Sequence, residues 1–246
     1  MTFIQAIVLS IIEGITEFLP ISSTGHMILV STFLKIAETD FVKSFEIIIQ
    51  LGAILAVVIL YWKKLWVNNI RVLVAFIPTA VVGLVFYKYI KDVLLGNPWI
   101  VVWSLGIGGL LLILLEKFHT EKQKSMSLGD AFIIGVAQSF SIIPGVSRAA
   151  ATIVGAMLLG IKRESAVEFS FLLAIPTMAA ATGLDLAKNQ FTADQFGILT
   201  IGFIGAFITA LITVKWFIGF VKTHTFIPFG IYRILAALAF YLFVLK

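Results

Sequence analysis

The chain is a succession of apolar stretches, and this pattern restricts its fold more than any other feature. Ten stretches cover roughly 3–18, 21–36, 45–62, 69–88, 97–116, 128–143, 147–160, 166–186, 196–218 and 226–245. Hydrophobic residues make up 60% of the chain and charged residues 13%, against about 25% charged in a soluble domain. So little polar surface cannot coat a soluble globule, and we predict an all-α polytopic membrane protein with residues 1–246 in a single membrane domain.

Six stretches approach the length that crosses a bilayer, which takes about 20 apolar residues. They are the third, fourth, fifth, eighth, ninth and tenth. The other four are short, contain polar residues and are interrupted in pairs at Pro20 and Pro144. We predict that each pair is a re-entrant hairpin, because non-helical backbone at membrane depth is tolerated only where protein buries it or where it lines a wet cavity. The predicted fold thus has six transmembrane helices and two re-entrant helix hairpins.

The sequence also repeats itself at an offset of about 125 residues. The segment AIVLSIIEGITEFLPISS at 6–23 is similar to AFIIGVAQSFSIIPGVS at 131–147. Each unit contains one hairpin and three spans, and an odd number of spans requires the second unit to insert upside down. We therefore predict an inverted-topology repeat of about 1–123 and 124–246, in which broken helices meet near the midplane and build the site.

Positive residues are distributed unevenly between the two ends of the predicted spans. One side carries Lys63, Lys64, Arg71, Lys117, Lys122, Lys124, Lys162, Arg163, Lys215 and Lys222, and the other carries Lys35, Lys43, Lys88, Lys91, Lys188 and Lys246. The positive-inside bias then predicts cytoplasmic loops near 63–71, 117–128, 161–166 and 216–225, with both termini and the mouth of the first hairpin outside. These cations form no basic patch, so the net charge of +5 does not indicate nucleic-acid binding. The absence of cysteine excludes disulfides, thiolate metal sites and a cysteine nucleophile.

Ionisable and hydroxyl side chains concentrate at the two hairpins, and within a membrane such residues indicate a functional site. The first hairpin carries Glu13, Glu17, Ser22, Ser23, Thr24 and His26, and the second carries Gln138, Ser139, Ser141, Ser147, Arg148 and Thr152. Further polar residues on spanning segments are Glu46, Gln50, Asp185 and Arg233. For Arg233, a structural pairing with Asp185 or Glu46 and a functional role are equally good interpretations.

Glu13 and Glu17 are four residues apart and share one helix face. Two carboxylates in a low dielectric cannot both ionise cheaply, so either one stays protonated or a cation lies between them. Hard cations such as Mg²⁺ and Ca²⁺ choose carboxylates and substrate phosphates as ligands. A buried salt bridge between Glu17 and Arg148 is the alternative, which we consider weaker because buried pairs are a poor source of stability.

The residues after each proline contain the groups that bind and attack phosphate. Ser23, His26 and the nearby carboxylates are the parts of an activated nucleophile and its base, although a histidine in an apolar run is more often an ordinary core residue. Ser22 by itself is better explained as a helix cap. Arg148 offers planar, forked donors suited to phosphate oxygens at a helix N-terminus, which we favour over a snorkelling or ion-paired arginine.

These blocks together resemble the undecaprenyl-diphosphate phosphatase family, the bacitracin-resistance proteins. The resemblance is carried by EGITEFLPISSTGHM at 13–27, FEIIIQLGAI at 45–54, PGVSRAAAT at 144–152, EFSFLLAIP at 168–176 and FIPFGIYR at 226–233, and it covers nearly the whole chain. The family removes the terminal phosphate of undecaprenyl diphosphate, which returns the lipid carrier to peptidoglycan synthesis and protects cells against bacitracin. The resemblance implies a protein of the bacterial inner membrane.

The resemblance also assigns roles to individual residues. The expected catalytic residues are Ser23, His26, Glu17 and Arg148, and the expected ligands of Mg²⁺ or Ca²⁺ are Glu13 and Glu17. We expect the phosphate to contact Arg148, Ser147, Thr24, Thr152 and Ser22. Ala149 departs from the family's usual P-G-x-S-R-S block, and the loss of one hydroxyl predicts a reduced rate or an altered lipid preference. The expected partners are a prenyl diphosphate lipid, membrane lipid and a second copy in a homodimer.

The expected reaction is metal-assisted phosphoanhydride hydrolysis where the two hairpins meet. Ser23 attacks the terminal phosphorus and Glu17 or His26 takes its proton, but the sequence does not decide between Ser23 and His26 as nucleophile. Two other classes of function remain open. Inverted repeats with broken helices are also a transporter architecture, so a carrier or flippase of a prenyl-phosphate lipid is the main alternative. A non-catalytic membrane scaffold is the other.

Overall fold

A computed structural model describes residues 1–37, 39–86, 98–122, 125–186 and 195–246, except for the side chains at 68–69 and 184–186. Within these ranges the regular structure is helical and contains no strand. The helices are α1 Phe3–Thr16, α2 Ser23–Phe33, α3 Asp40–Val85, α4 Pro98–Phe118, α5 Leu128–Ser139, α6 Arg148–Leu158, α7 Arg163–Leu186, α8 Phe196–Val221 and α9 Ile227–Phe240. A 3₁₀ turn, Phe140–Ile142, follows α5, and a π-helical turn, Tyr241–Leu245, follows α9. The predicted all-α class is confirmed.

Five helical segments in the described part of the chain are long and apolar enough to cross a membrane. They are Asp40–Val67, Pro98–Phe118, Arg163–Gly183, Phe196–Val221 and Ile227–Leu245. The protein is therefore a multi-pass membrane protein. The remaining predicted span, 69–88, corresponds to the shorter apolar segment Ile70–Val85, and its last two residues lie outside the described ranges. The count of six spans stays a prediction.

Helix α3 differs from its prediction, because the loop expected near 63–71 is helical. The helix runs unbroken through 46 residues, which at 1.5 Å per residue is about 69 Å of contour and more than twice the hydrocarbon core. The loop was inferred from the basic residues Lys63, Lys64 and Arg71. The segment contains no glycine or proline, so nothing in its backbone chemistry stops the helix there.

The two predicted hairpins are helix–turn–helix units. The breaks lie between α1 and α2 at Pro20 and between α5 and α6 at Pro144, as predicted. Ser22 and Ser147, which immediately precede α2 and α6, both have φ 72°. These two serines are 125 positions apart, and so are the capping boxes that begin α1 at Thr2 and α5 at Ser127. The division into two units stays a prediction, and residues 123–124 at its boundary lie outside the described ranges.

The helices approach one another closely through small residues. Helix α3 packs against α5, α7 and α8, while α1 packs on α8 and α9 on α4. A Cβ added at Gly52 would overlap the carbonyl of Phe203 on α8, and one at Gly135 would overlap the carbonyl of Ala75 on α3. Such contacts bring backbones together in a bilayer, where apolar burial alone does not favour association between helices.

A cluster of charged residues joins α4 and α7 to the start of α9. Arg163 donates from Nε to Glu116 Oε1 at 3.0 Å and from Nη2 to Glu116 Oε2 at 2.6 Å. The backbone N–H of Phe226 donates to Glu116 Oε1 at 2.8 Å. The Glu116 side chain is 1% exposed, whereas Glu121, which also accepts from Arg163, is 38% exposed.

Replacing Glu116 with alanine is expected to lower the free energy of unfolding by about 3 kcal/mol, because the change leaves the backbone N–H of Phe226 without its acceptor and Arg163 with only the exposed Glu121. Glu121→Ala removes a solvated partner of the same arginine and should cost less than about 1 kcal/mol. Denaturant unfolding of both variants in detergent measures the difference. Equal losses would contradict the role of Glu116 in joining these helices.

Candidate active site

The breaks in the two hairpins meet α3 and α7 around a polar cavity of about 170 Å³. The first hairpin contributes Glu17, Ser22, Ser23 and Thr24, and the second contributes Ser141, Pro144, Gly145, Ser147 and Arg148. Helices α3 and α7 complete the wall with Gln50, Thr177, Met178 and Ala181. The volume is that of roughly five water molecules. It therefore fits a phosphate headgroup and excludes a long lipid tail.

Glu17 joins a hydroxyl and a guanidinium through its two oxygens. Ser23 Oγ donates to Glu17 Oε2 at 2.6 Å, and Arg148 Nη2 donates to Glu17 Oε1 at 2.8 Å. The carboxylate of Glu17 is buried, with 6% of its side chain exposed. The salt bridge between Glu17 and Arg148, which we considered the weaker alternative from the sequence, is thus present. It does not exclude chemistry, because the same carboxylate also holds the Ser23 hydroxyl as a base would.

Arg148, the first residue of α6, has an N–H group that makes no hydrogen bond in the described part of the chain. Its Nη1 donates to the carbonyl of Ser170 at 3.1 Å, and its guanidinium lies 5.6 Å from the ring centre of Phe18. Its Nε is buried and has no hydrogen-bond partner in the described part of the chain. A fixed guanidinium with an unused N–H at the wall of a polar cavity is arranged to bind an anion.

Glu13 is a buried carboxylate with an unused oxygen, but it does not line the cavity. It is 1% exposed, lies one turn before Glu17 on α1, and its Oε1 has no hydrogen-bond partner among the described residues. The described residues contain no cluster of three or more His, Asp, Glu or Cys side chains that could hold a metal. The donor set fits Mg²⁺ or Ca²⁺ only where substrate phosphate and water complete the ligands, as is common for Mg²⁺.

His26 contacts α9 and has no hydrogen bond to Ser23. Its Nδ1 lies 2.8 Å from the carbonyl of Ser22, and its Nε2 lies 2.6 Å from Tyr232 Oη. Because a carbonyl only accepts, Nδ1 donates and Nε2 accepts from the tyrosine hydroxyl. The two rings stack with centres 5.4 Å apart. The base in contact with Ser23 is therefore Glu17, and His26 holds the peptide that precedes Ser23.

A family model described as "Bacitracin resistance protein BacA" matches residues 6–239. The chain belongs to this family. An undecaprenyl-diphosphatase of Aquifex aeolicus (strain VF5) is 55% identical, with 99% of this chain and 100% of that protein covered. Undecaprenyl-diphosphatases of Sulfurihydrogenibium sp. (strain YO3AOP1) and Persephonella marina (strain DSM 14350 / EX-H1) are 52% and 49% identical to this chain. The matches cover 99% and 100% of the lengths of those two proteins. The similarity therefore extends over the whole BacA-type membrane domain.

The hydroxyls expected to bind phosphate separate into two groups. Thr24, Ser22 and Ser147 line the cavity. Ser22 does not cap α2 as predicted, since its side chain accepts no hydrogen bond from that helix, whereas Ser147 Oγ accepts from the N–H of Ala150 at 3.2 Å. The Ser22 hydroxyl is thereby left for a ligand.

Thr152 lies away from the cavity, contrary to expectation. It is fully buried, with Oγ1 2.6 Å from Ser170 Oγ and 3.0 Å from the carbonyl of Ala149. Because Ser170 also accepts from Arg148, Thr152 supports the arginine through α7 instead of contacting a ligand. A hydroxyl one turn inside a helix can always turn back to its own backbone, which the sequence pattern could not exclude.

Ala149 belongs to the apolar core. It is 0% exposed and packs within the cluster that contains Ile153 and Ala156, and it does not line the cavity. Restoring the serine that the BacA-type block usually carries is therefore expected to change kcat by less than about threefold, because its hydroxyl would turn back to the helix backbone. Steady-state rates of Ala149→Ser and the unmodified protein measure this. A large gain in kcat would instead show that the hydroxyl reaches the phosphate.

Several residues of the site were not singled out from sequence. Tyr232 lies in the FIPFGIYR block, but no spacing relates it to His26, which is 206 positions earlier. Thr177 and Met178 follow Pro176 on α7, and their sequence context is that of an ordinary apolar span. Thr79 was not singled out either, and it accepts a hydrogen bond at 2.8 Å from Gln138, a residue that the sequence did indicate and that also donates to Thr177 at 3.2 Å.

Proposed function

We propose that this chain is an undecaprenyl-diphosphate phosphatase, which hydrolyses undecaprenyl diphosphate to undecaprenyl phosphate and phosphate. The observation that carries the proposal is the arrangement of Ser23, Glu17 and Arg148 in one polar cavity. Full-length relatives that are named undecaprenyl-diphosphatases support the choice of substrate. The reaction recycles the lipid carrier for peptidoglycan synthesis and confers resistance to bacitracin, in keeping with the family.

The two parts of the substrate lie in different places, the diphosphate in the cavity and the isoprenoid chain in the bilayer. A cavity of about 170 Å³ accepts the diphosphate, and the isoprenoid chain lies among the apolar faces that the helices turn towards lipid. Arg148 and the first N–H groups of α2 and α6 provide positive charge and donors for the phosphate oxygens. The hydroxyls of Ser22, Thr24 and Ser147 add neutral donors around the headgroup.

Ser23 is the proposed nucleophile. Its oxygen attacks the terminal phosphorus while Glu17 accepts the hydroxyl proton, and the bond from that phosphorus to the bridging oxygen breaks to release undecaprenyl phosphate. Water then attacks the phosphorus of the serine phosphate, the bond from that phosphorus to Ser23 Oγ breaks, and the proton held on Glu17 returns to Ser23 Oγ as phosphate, which keeps the protons of the water, leaves. Arg148 neutralises charge on the transferring phosphoryl group in both steps. His26 acts by holding the Ser22 peptide and is the second candidate for the nucleophile.

Glu13, together with Glu17, would hold Mg²⁺ or Ca²⁺ beside the substrate phosphates. Both oxygens of Glu17 already accept hydrogen bonds, so Glu13 Oε1 is the free ligand atom. The cation would neutralise charge on the diphosphate as the bridging bond breaks.

The proposed setting is the bacterial inner membrane, with six transmembrane helices, two re-entrant hairpins and two inverted repeats. Both termini and the mouth of the cavity face the outer side, which the uneven distribution of Lys and Arg supports. The matching φ of Ser22 and Ser147 supports the repeat, because a serine rarely adopts this conformation and both serines precede a half-helix. We also propose that two copies of the chain form a homodimer.

Phosphate release from a long-chain prenyl diphosphate by the purified protein in detergent tests the function. We expect release with Mg²⁺ or Ca²⁺, one lipid monophosphate for each phosphate, and loss of activity with a chelator. Activity that persists in chelator would contradict the metal assignment but not the function. No release under any condition from folded protein would favour the alternative, a carrier of prenyl-phosphate lipids, because a pure carrier leaves the anhydride bond intact.

A further inference from the structure

Arg233 is a fully buried arginine whose donors all go to backbone carbonyls. Its Nη1 donates to Pro20 and Val146 at 3.2 and 3.1 Å, its Nη2 donates to Ser104 and Gly145 at 2.9 and 3.0 Å, and its Nε donates to Leu105 at 3.4 Å. The residue is 0% exposed. These bonds use all five N–H groups of a guanidinium, so none is left for Glu46, and the side chain of Asp185 lies outside the described residues.

The carbonyls that Arg233 binds belong to the two breaks that build the cavity. Pro20 lies in the first break, Gly145 and Val146 lie in the second, and Ser104 and Leu105 lie on α4. One side chain of α9 therefore ties both breaks to each other and to α4. Serines with φ 72° follow each break, and such strained residues persist only where the surroundings fix them.

The same hydrogen bonds set the direction of a donor. In a trans peptide the C=O and the following N–H point in opposite directions. The carbonyl of Val146 points at Arg233, so the N–H of Ser147, a residue that lines the cavity, points away from Arg233. This N–H donates to no group among the described residues. An amide fixed in this way is a ready donor for a charge that develops on phosphate oxygens.

We infer that Arg233 is a positioning residue of the phosphatase, which holds the two breaks together and orients the Ser147 N–H of the second break towards the transferring phosphoryl group. The inference rests on the proposed function and concerns the same cavity. In this role the buried guanidinium of Arg233 binds neither a carboxylate nor the substrate, but acts through the backbone carbonyls that it contacts. A residue that fixes donors for the transition state lowers kcat when it is disturbed and leaves KM nearly unchanged.

Two glycines of α4 provide a matched test. A Cβ at Gly108 would overlap Nη2 of Arg233 and lie 2.8 Å from its Cζ, whereas a Cβ at Gly106, on the same helix, would meet only Ala237 at 4.0 Å. Gly108→Ala therefore displaces the guanidinium and Gly106→Ala does not. We expect Gly108→Ala to lower kcat by about 100-fold with KM within about threefold, and Gly106→Ala to keep both within about threefold. Arg233→Lys, which keeps the charge but not the fork, should lie between Arg233→Met and the unmodified protein.

Hydrogen–deuterium exchange of segments 19–23 and 143–148 gives a readout that does not require activity. We expect faster exchange of both segments in Gly108→Ala and Arg233→Lys than in Gly106→Ala. Unchanged exchange, or a loss that appears in KM instead of kcat, would overturn the inference. If the unmodified protein releases no phosphate, the proposed function fails, and the exchange result still decides whether Arg233 orders the two breaks.

Discussion

Phosphate release by the Arg148→Lys variant is expected to fall by about 1,000-fold or more, because lysine keeps the charge but not the fork of donors. Arginines that neutralise a transferring phosphoryl group typically contribute 10³ to 10⁵ in kcat. Lysine can still form a single ion pair with Glu17, so the buried carboxylate keeps a partner and the fold should survive. Initial rates with a long-chain prenyl diphosphate, measured at saturating substrate, give the loss in kcat.

The matched control is Arg163→Lys, which makes the same exchange in an arginine that pairs with Glu116 outside the cavity. That variant should lose stability and keep kcat within about threefold once folded protein is counted. If Arg148→Lys and Arg163→Lys retained the same fraction of activity, Arg148 would be a structural arginine and the anion site would be wrong.

Ser23→Ala is expected to reduce kcat by about 10,000-fold and to leave binding of the substrate nearly unchanged. Loss of an activated nucleophile removes the covalent route, and only slow attack by water, helped by the remaining donors, is left. The hydroxyl is held by Glu17 at 2.6 Å and its removal leaves no cavity of consequence in the core. Single-turnover phosphate release together with equilibrium binding of the lipid separates the two effects.

Ser31→Ala provides the control on the same helix. Its hydroxyl is buried without a hydrogen-bond partner in the described part of the chain, and it lies two turns further along α2. Its activity should match that of the unmodified protein. A Ser23→Ala variant that retained more than about a tenth of kcat would exclude Ser23 as nucleophile and return His26 or direct water attack to consideration.

The sequence was most informative where polar side chains lie next to a helix-breaking proline. Pro20 and Pro144 marked both helix breaks, and the polar residues beside them identified Glu17, Ser23 and Arg148, which the structure brings into contact. A polar group at membrane depth has few roles open to it, so its presence alone was a strong signal. The all-α class followed from the length of the apolar stretches and from the small share of charged residues.

The sequence was least informative about contacts between distant segments. Helical spacing shows which residues share a face, but it does not show which helix that face meets. His26 therefore looked like a base for Ser23 and instead binds Tyr232, and Arg233 had no predictable partner because its acceptors are backbone carbonyls, which every residue carries. The predicted loop at 63–71 was wrong for a related reason, since charge indicates a boundary of the membrane and not the end of a helix.

Nucleophilic attack by Ser23 is tested most directly by a rapid acid quench of a single turnover, with the terminal phosphate of the prenyl diphosphate radiolabelled. We expect transient, acid-stable label on the peptide that contains Ser23, and none on this peptide in Ser23→Ala. A phosphoserine survives acid and a phosphohistidine does not, so a matched alkaline quench detects label on His26. Label on His26, or full release of phosphate with no protein-bound label at any time, would contradict attack by Ser23.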